Sequence, residues 1–263
     1  MEQTTNYSRY KTLFSILAVA LLIWGAFGVR EVTKFPYDGS TTSADNIVTQ
    51  VREGSPAATA GLKVGDHVTK IDNVPVESVA GFYERGRPAI GSTGSFTVKR
   101  GGAEQTLTFK YAEQPLGDLL VAGIGRLTGL AFLLLGLLAY LRNPTRLSTT
   151  FCALSLMLAF MLMQGPYISS PSLRRVLFAV FNIVSGWMLA TLLSYAVMFP
   201  RAKAMLTSRP WLRQAIFIIA PLLGVGLALL SLFAPNISNA GSILLSVTIG
   251  LIFGGYILLA VVA

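Results

Sequence analysis

The chain has 263 residues, of which 53% are apolar and only 13% charged, with a formal net charge of +9 at pH 7. That composition excludes a single soluble globule. The placement of charge excludes a nucleic-acid binder, because the basic residues sit singly and in pairs between long apolar runs instead of gathering on one polar face. Every acidic residue lies at or before Asp118, and residues 119–263 hold nine Arg or Lys and no Asp, Glu or His.

Residues 1–11 form a short tail with Arg9 and Lys11, expected on the cytoplasmic side. Residues 12–29 (TLFSILAVALLIWGAFGV) are uncharged and span about 27 Å as a helix, enough to cross a bilayer. A cleavable signal peptide is the rival reading, since Ala26-Phe27-Gly28 offers small residues at a suitable spacing. The run is long for that role, and an uncleaved anchor is expected. Either way, residues 30–118 are expected outside the cytoplasm.

The stretch from Gly54 to Asn73 reads GSPAATAGLKVGDHVTKIDN. Gly54 permits a tight turn, Ser55 is a good N-cap, and Pro56 suits the first helical position. Ala57, Ala58 and Ala60 predict a small helix of about two turns. Gly61 supplies a left-handed stop, and Leu62 is the apolar residue that packs back over the helix end. A second turn at Gly65-Asp66 leads into a strand through Val68 and Ile71, closed by a turn at Asp72-Asn73.

This string resembles the core of bacterial PDZ domains of the circularly permuted type, found in HtrA-like proteases, site-2 proteases and some sensor kinases. The resemblance covers about residues 35–113. It departs at Asn73, where Gly is commoner, although Asn tolerates the same conformation. The expected fold class is therefore a multi-pass α-helical membrane protein with one extracytoplasmic α+β PDZ domain.

Around that core, Asn46 to Val51 alternates like a half-buried strand. Residues 95–100 and 105–110 alternate with period two across Gly101-Gly102, which predicts a hairpin. By resemblance, Phe35 to Ser40, including Tyr37, form the strand that receives a peptide. Residues 78–85 are the groove helix, whose Val79, Phe82 and Tyr83 line the pocket. The family's carboxylate-binding loop is not recognisable, and Asp38 would repel a terminal carboxylate. His67 reads as a solvated side chain.

After a linker at residues 114–118, five further spans are expected at 119–141, 149–168, 176–199, 212–233 and 242–263, making six with the first. Arg126 is expected to snorkel to an interface, and Pro221 to kink its helix. With the N-terminus inside, eight basic residues lie in cytoplasmic segments and only Arg174 and Arg175 in external loops. Both termini are thus expected in the cytoplasm of a bacterial cell, in its inner membrane. Residues 199–212 (FPRAKAMLTSRPWL) resemble the FPxP-like exit and RPWL segment of bacterial sensor proteins, with Ala202 where a second Pro is common.

The chemistry is expected to be limited. Zinc intramembrane proteases need His and carboxylate ligands, rhomboids a Ser–His pair, and aspartyl proteases paired Asp. The spans carry none of those sets. Cys152 lies in an apolar run without a base, so it reads as a small buried hydrophobe. No catalytic residue, metal site or cofactor is expected, and no enzymatic activity of this chain. Intramembrane polar candidates are Arg126 and Asn182, with Gln164, Ser185, Thr191 and Ser194; interhelical hydrogen bonding is the plainer reading. Gly125 with Gly129, and Gly250 with Gly254, have the four-residue spacing of close helix pairs, which brings a homodimer among the expected partners.

The whole plan resembles the sensory half of PDZ-containing receptor histidine kinases. It implies a sensory input region in which a peptide or protein at the PDZ groove acts through a helix bundle on a cytoplasmic effector beyond Ala263. The alternative is an adaptor whose PDZ domain recruits or regulates a membrane protease or its substrates. Partners are then the lipid bilayer and a peptide or protein.

Overall fold

The structure, a computed structural model, describes residues 7–43, 45–76, 87–198 and 210–233. A 3-10 turn at Tyr7–Tyr10 leads into α1 (Lys11–Glu31). Its buried Phe14, Ala18, Gly25 and Gly28 recur at helical spacing, so one stripe faces protein and the rest is left to the surroundings.

The chain then builds an α+β unit. Strands β1 (Ser40–Thr42) and β2 (Val48–Val51) pair antiparallel. A short helix α2 (Pro56–Thr59) follows, then β3 (His67–Ile71), β4 (Val74–Pro75), β5 (Thr93–Arg100) and β6 (Ala103–Lys110). The last four form one antiparallel sheet in the order β4-β3-β5-β6. Val48, Ala57, Leu62, Val68, Phe96, Val98, Phe109 and Tyr111 make its core. The Phe96 and Phe109 rings stack with centroids 4.7 Å apart, and Tyr111 meets Phe109 edge-on at 4.9 Å.

The local expectations hold where a single residue fixes the backbone. Ser55 adopts extended angles and its Oγ accepts from Ala58 N–H at 3.2 Å, capping α2 with Pro56 at its first position. Gly61 has φ +86, and the Leu62 N–H returns to Ala57 O at 3.0 Å. Asp72 and Asn73 both have positive φ, 51 and 64, as a two-residue hairpin turn requires; Gly101 and Gly102 do the same for β5–β6. Two boundaries differ. The helix α2 is one turn, because Gly61 stops it after Ala60, and the strand expected from Asn46 starts at Val48, since Asn46 itself has φ 58.

Beyond β6 come α3 (Leu116–Arg142), α4 (Arg146–Met163), α5 (Pro171–Met198) and α6 (Pro210–Phe233). Pro144 lies in the break between α3 and α4. Thr145 restarts the helix with a capping box, its Oγ1 accepting from Ser148 N–H and its own N–H donating to Ser148 Oγ. Buried Arg126, Gly129, Leu133, Gly136 and Tyr140 recur on α3 at alternating spacings of three and four, which is a coiled-coil seam. Against it lies a stripe of α4 that includes Cys152, Ser155, Ala159 and Met163. A Cβ at Gly129 would sit 2.8 Å from Met163, and one at Gly136 2.5 Å from Ser155 Oγ, so the Gly125–Gly129 face is used inside the chain. Likewise Gly186 of α5 and Gly224 of α6 bring two backbones together: a Cβ on either would lie 2.6 Å from a carbonyl oxygen of the other helix.

Among the described residues, four helical segments are long and apolar enough to cross a membrane: Lys11–Lys34, Leu116–Arg142, Arg146–Met163 and Pro171–Leu192. Ile218–Leu230 of α6 is a shorter apolar helix, which runs through Pro221 unbroken. The run at 242–263, with Gly250 and Gly254, lies outside the described residues, as do residues 199–209 of the FPxP-like segment. The outer faces of these helices expose Leu120, Ile124, Leu127, Leu134 and Leu138. Such a surface suits hydrocarbon and would be a liability in water.

Candidate peptide-binding site

A groove that accepts a peptide as an added strand needs an unpaired strand edge. Among the described residues, β1 offers one: Ser40 to Thr42 pair with β2 on one side only. The residues just before it are otherwise engaged. Tyr37 forms an isolated bridge with Ala112, exchanging two backbone hydrogen bonds of 2.9 Å. Phe35 packs edge-on against Tyr167, with ring centroids 5.1 Å apart. The Phe35–Ser40 segment is thus irregular up to Ser40, and the strand proper is Ser40–Thr42. Val79, Phe82 and Tyr83, expected on the groove helix, lie outside the described residues.

Beside the β1 edge lies a polar hollow of about 320 Å³, bounded by Tyr37, Asp38, Gln50, Arg52 and Asp118. The Asp38 Oδ1 accepts from both the backbone N–H and the hydroxyl of Ser40 at 2.8 Å, so this carboxylate is tied into its own turn. Arg52 makes a two-pronged pair with Asp118 at 2.8 and 3.0 Å, joining β2's end to the first turn of α3. Both groups are solvent-exposed, which limits the pair to a small stabilisation.

The frame behind the edge is held by one buried carboxylate. Asp66, 2% exposed, accepts from Arg100 Nε and Nη2 at 2.6 Å and from Lys63 N–H at 2.9 Å. The Arg100 guanidinium, helped by the Lys63 amide, holds its carboxyl below the usual range against the burial that would raise it. Asp72 serves similarly, accepting from Ser95 N–H at 3.0 Å and from the Tyr111 hydroxyl at 2.8 Å. The sequence marks Asp66 and Asp72 only as turn residues; Arg100, Ser95 and Tyr111, which bind them, lie more than twenty positions away. His67 is half-buried on β3, opposite Lys99.

The PDZ domain family matches residues 27–110. Residues 27–110 are a PDZ domain. Among solved structures, a variant of the HtrA-type protease AlgW determined with a decapeptide is similar at 22% identity, over 31% of this chain and 30% of that one, with a TM-score of 0.27. The chain therefore spans less than a third of that protein's length. No curated protein matches. A PDZ domain implies binding of a peptide or protein, and β1, paired with β2 on one side only, is an open edge next to the expected receiving segment.

The intramembrane polar candidates do not converge. Arg126 is 6% exposed, donating to Ala122 O, one turn toward the start of α3, at 3.0 Å and to Gln164 Oε1 at the α4 terminus at 3.4 Å. Its position on the α3 seam, in register with Gly129 and Leu133, points it inward. Asn182, Ser185 and Thr191 each donate to the carbonyl four residues earlier in α5, at 2.7–2.8 Å. Within that set, among the described residues, the interhelical contacts are Arg126–Gln164 and the Ser185 hydroxyl donating to Met161 Sδ of α4 at 3.9 Å.

The domain also touches the bundle, which the sequence reading does not anticipate. Tyr167, in the α4–α5 connection, donates its N–H to Glu31 Oε2 at 2.7 Å and its hydroxyl to Pro88 O at 3.2 Å. The Arg87 guanidinium lies over the rings of both Phe35 and Tyr167, 4.9 and 4.8 Å from their centroids.

Proposed function

We propose that this chain is the sensory input region of a bacterial inner-membrane signalling protein. Its PDZ domain takes up an extended peptide or protein segment outside the cytoplasm, and occupancy is relayed through the helix bundle to the cytoplasmic side. The observation that carries this reading is the three-point contact at Tyr167, which ties the end of α1, the domain's Pro88 and the ring of Phe35 to the α4–α5 connection. A peptide that adds to β1 strains or relaxes residues 35–40, and Phe35 is the end of that segment that abuts the bundle. The relay thus needs no catalytic group, cofactor or metal in this chain, and we assign it none. The charge distribution supports the orientation, since basic residues favour the cytoplasmic loops.

The test is hydrogen exchange of the full chain in lipid nanodiscs, with and without a ten-residue peptide selected for binding to the domain. Protection is expected at residues 40–42 and also at residues 164–171. In Tyr167→Ala the first effect stays and the second disappears. Protection confined to the domain in the wild-type chain refutes the relay.

A further inference from the structure

The backbone of β1 restricts the kind of segment its open side can take. Gly39 O accepts from Arg52 N–H at 2.9 Å, so that carbonyl points toward β2. In a planar trans peptide the N–H of the next residue points the opposite way, which sends the Ser40 N–H to the open side. Thr41 O accepts from the Thr49 hydroxyl of β2 at 3.1 Å, and Ser43 N–H donates to Ile47 O, just ahead of β2, at 2.7 Å. By the same rule Thr42 presents both its N–H and its C=O to the open side. One residue of an added antiparallel strand needs that pair of groups.

Ser40 is the next such position, two residues earlier, but its N–H is already taken. Asp38 Oδ1 accepts it at 2.8 Å, along with the Ser40 hydroxyl. Asp38 Oδ2 has no hydrogen bond among the described residues. In the hollow that Asp38 lines, Asp38 and Asp118 stand against Arg52, which leaves one negative charge. Asp118 is the carboxylate that Arg52 pairs with, so the charge left over is that of Asp38.

An antiparallel segment bonded to Thr42 runs on toward Ser40, so its C-terminal side reaches Asp38. A chain that ended there would bring its carboxylate to an occupied donor and a like charge. We propose that the β1 edge takes an internal segment of a protein chain, with a lysine or arginine beside Asp38, and that Asp38 sets this specificity. The cationic side chain supplies the charged donor that Oδ2 lacks. The proposal rests on the peptide-binding reading above and names its ligand class.

The experiment uses the full chain in nanodiscs of phosphatidylcholine. Two libraries of random ten-residue segments are selected on it, one flanked by linkers on both sides and one ending in a free carboxylate. Binders are expected from the first, enriched in lysine or arginine, and binding should protect the Thr42 amide from hydrogen exchange. The best segment is then shortened from its C-terminal end, each length made as acid and as amide. At the length that ends opposite Ser40, the acid is expected to bind at least about fivefold more weakly than the amide. That difference disappears in Asp38→Ala. Asp38→Asn keeps an acceptor for the Ser40 N–H and removes only the charge; there, replacing the segment's cation by alanine costs nothing, against about fivefold in the wild-type chain. Preferential enrichment of free C-termini, equal binding of acid and amide at every length, or binding that leaves Thr42 unprotected overturns the proposal and leaves peptide binding standing. Those comparisons need no variant to fold. Failure of both libraries to yield a binder overturns the proposal together with the reading it rests on.

Discussion

Gly61→Val separates backbone strain from steric overlap in the PDZ domain. Gly61 ends α2 with φ +86, and its carbonyl accepts from Arg100 Nη2 at 2.9 Å. A Cβ built there meets nothing within 4 Å. The penalty is therefore conformational alone: roughly 1–2 kcal/mol for an L-residue in the left-handed region, rising to about 3 for a β-branched one. For a domain of this size each kcal/mol lowers Tm by about 4–8 °C, so valine costs on the order of 10–20 °C. Gly61→Asn, with the same open space and a side chain tolerant of positive φ, loses only a fraction of that. Gly39→Ala is the contrasting case, because φ is +85 and the new Cβ would also lie 2.6 Å from Ser55 Oγ. Thermal melts of the isolated segment 30–118 give all the values. That segment contains the whole core around Phe96 and Phe109 and is expected to fold alone. Asparagine proving as harmful as valine at position 61, or valine proving harmless, refutes the strain argument.

Asp66→Asn removes two charge-assisted bonds to Arg100 and is expected to cost about 2–3 kcal/mol in urea unfolding at pH 7. Because the folded Asp66 carboxyl is held low, its stabilisation is fully present above the unfolded value of about 3.9 and is lost as pH falls through the lower folded value. The variant should therefore show a flatter acid limb below about pH 4, and an unchanged limb removes Asp66 from the account. Reporter fusions after Pro115 and after Asn143 should behave oppositely in an export assay, with the first outside and the second inside; cytoplasmic activity at Pro115 refutes the topology.

What was legible in the sequence is what single residues dictate locally. Ser55, Pro56, Gly61 and the Asp72-Asn73 pair each fix a few dihedral angles, and the structure places every one as their chemistry requires. Apolar runs likewise set the helices, because length and hydropathy need no tertiary partner. The failures are of range or of register. The regular strand begins at Ser40 and not at Phe35, because Phe35 packs on Tyr167, far along the chain, and Tyr37 bridges to Ala112. Arg126 lies on the α3 seam because the three-and-four spacing of its neighbours runs through it, a pattern present in the sequence. The Asp66–Arg100 pair has no local signal, since either residue alone is an ordinary polar side chain.

The PDZ domain is entered from α1 and left through α3, and Leu130 and Leu133 of α3 share a packed cluster with Phe14 and Ala18 of α1. Both stems are short, with only a 3-10 turn after α1 and a few residues after β6 before α3 begins. The Arg52–Asp118 pair braces the second stem, and Glu31 with Tyr167 braces the first. Mechanically the domain is a load mounted on two feet. Two feet resist spinning about the bundle axis more than they resist rocking, which lifts one foot as it presses the other. In the relay proposed above, a ligand that tilted the domain by a few degrees would deliver a push and a pull to two touching helices, a piston stroke of opposite sign in each, without any span having to rotate.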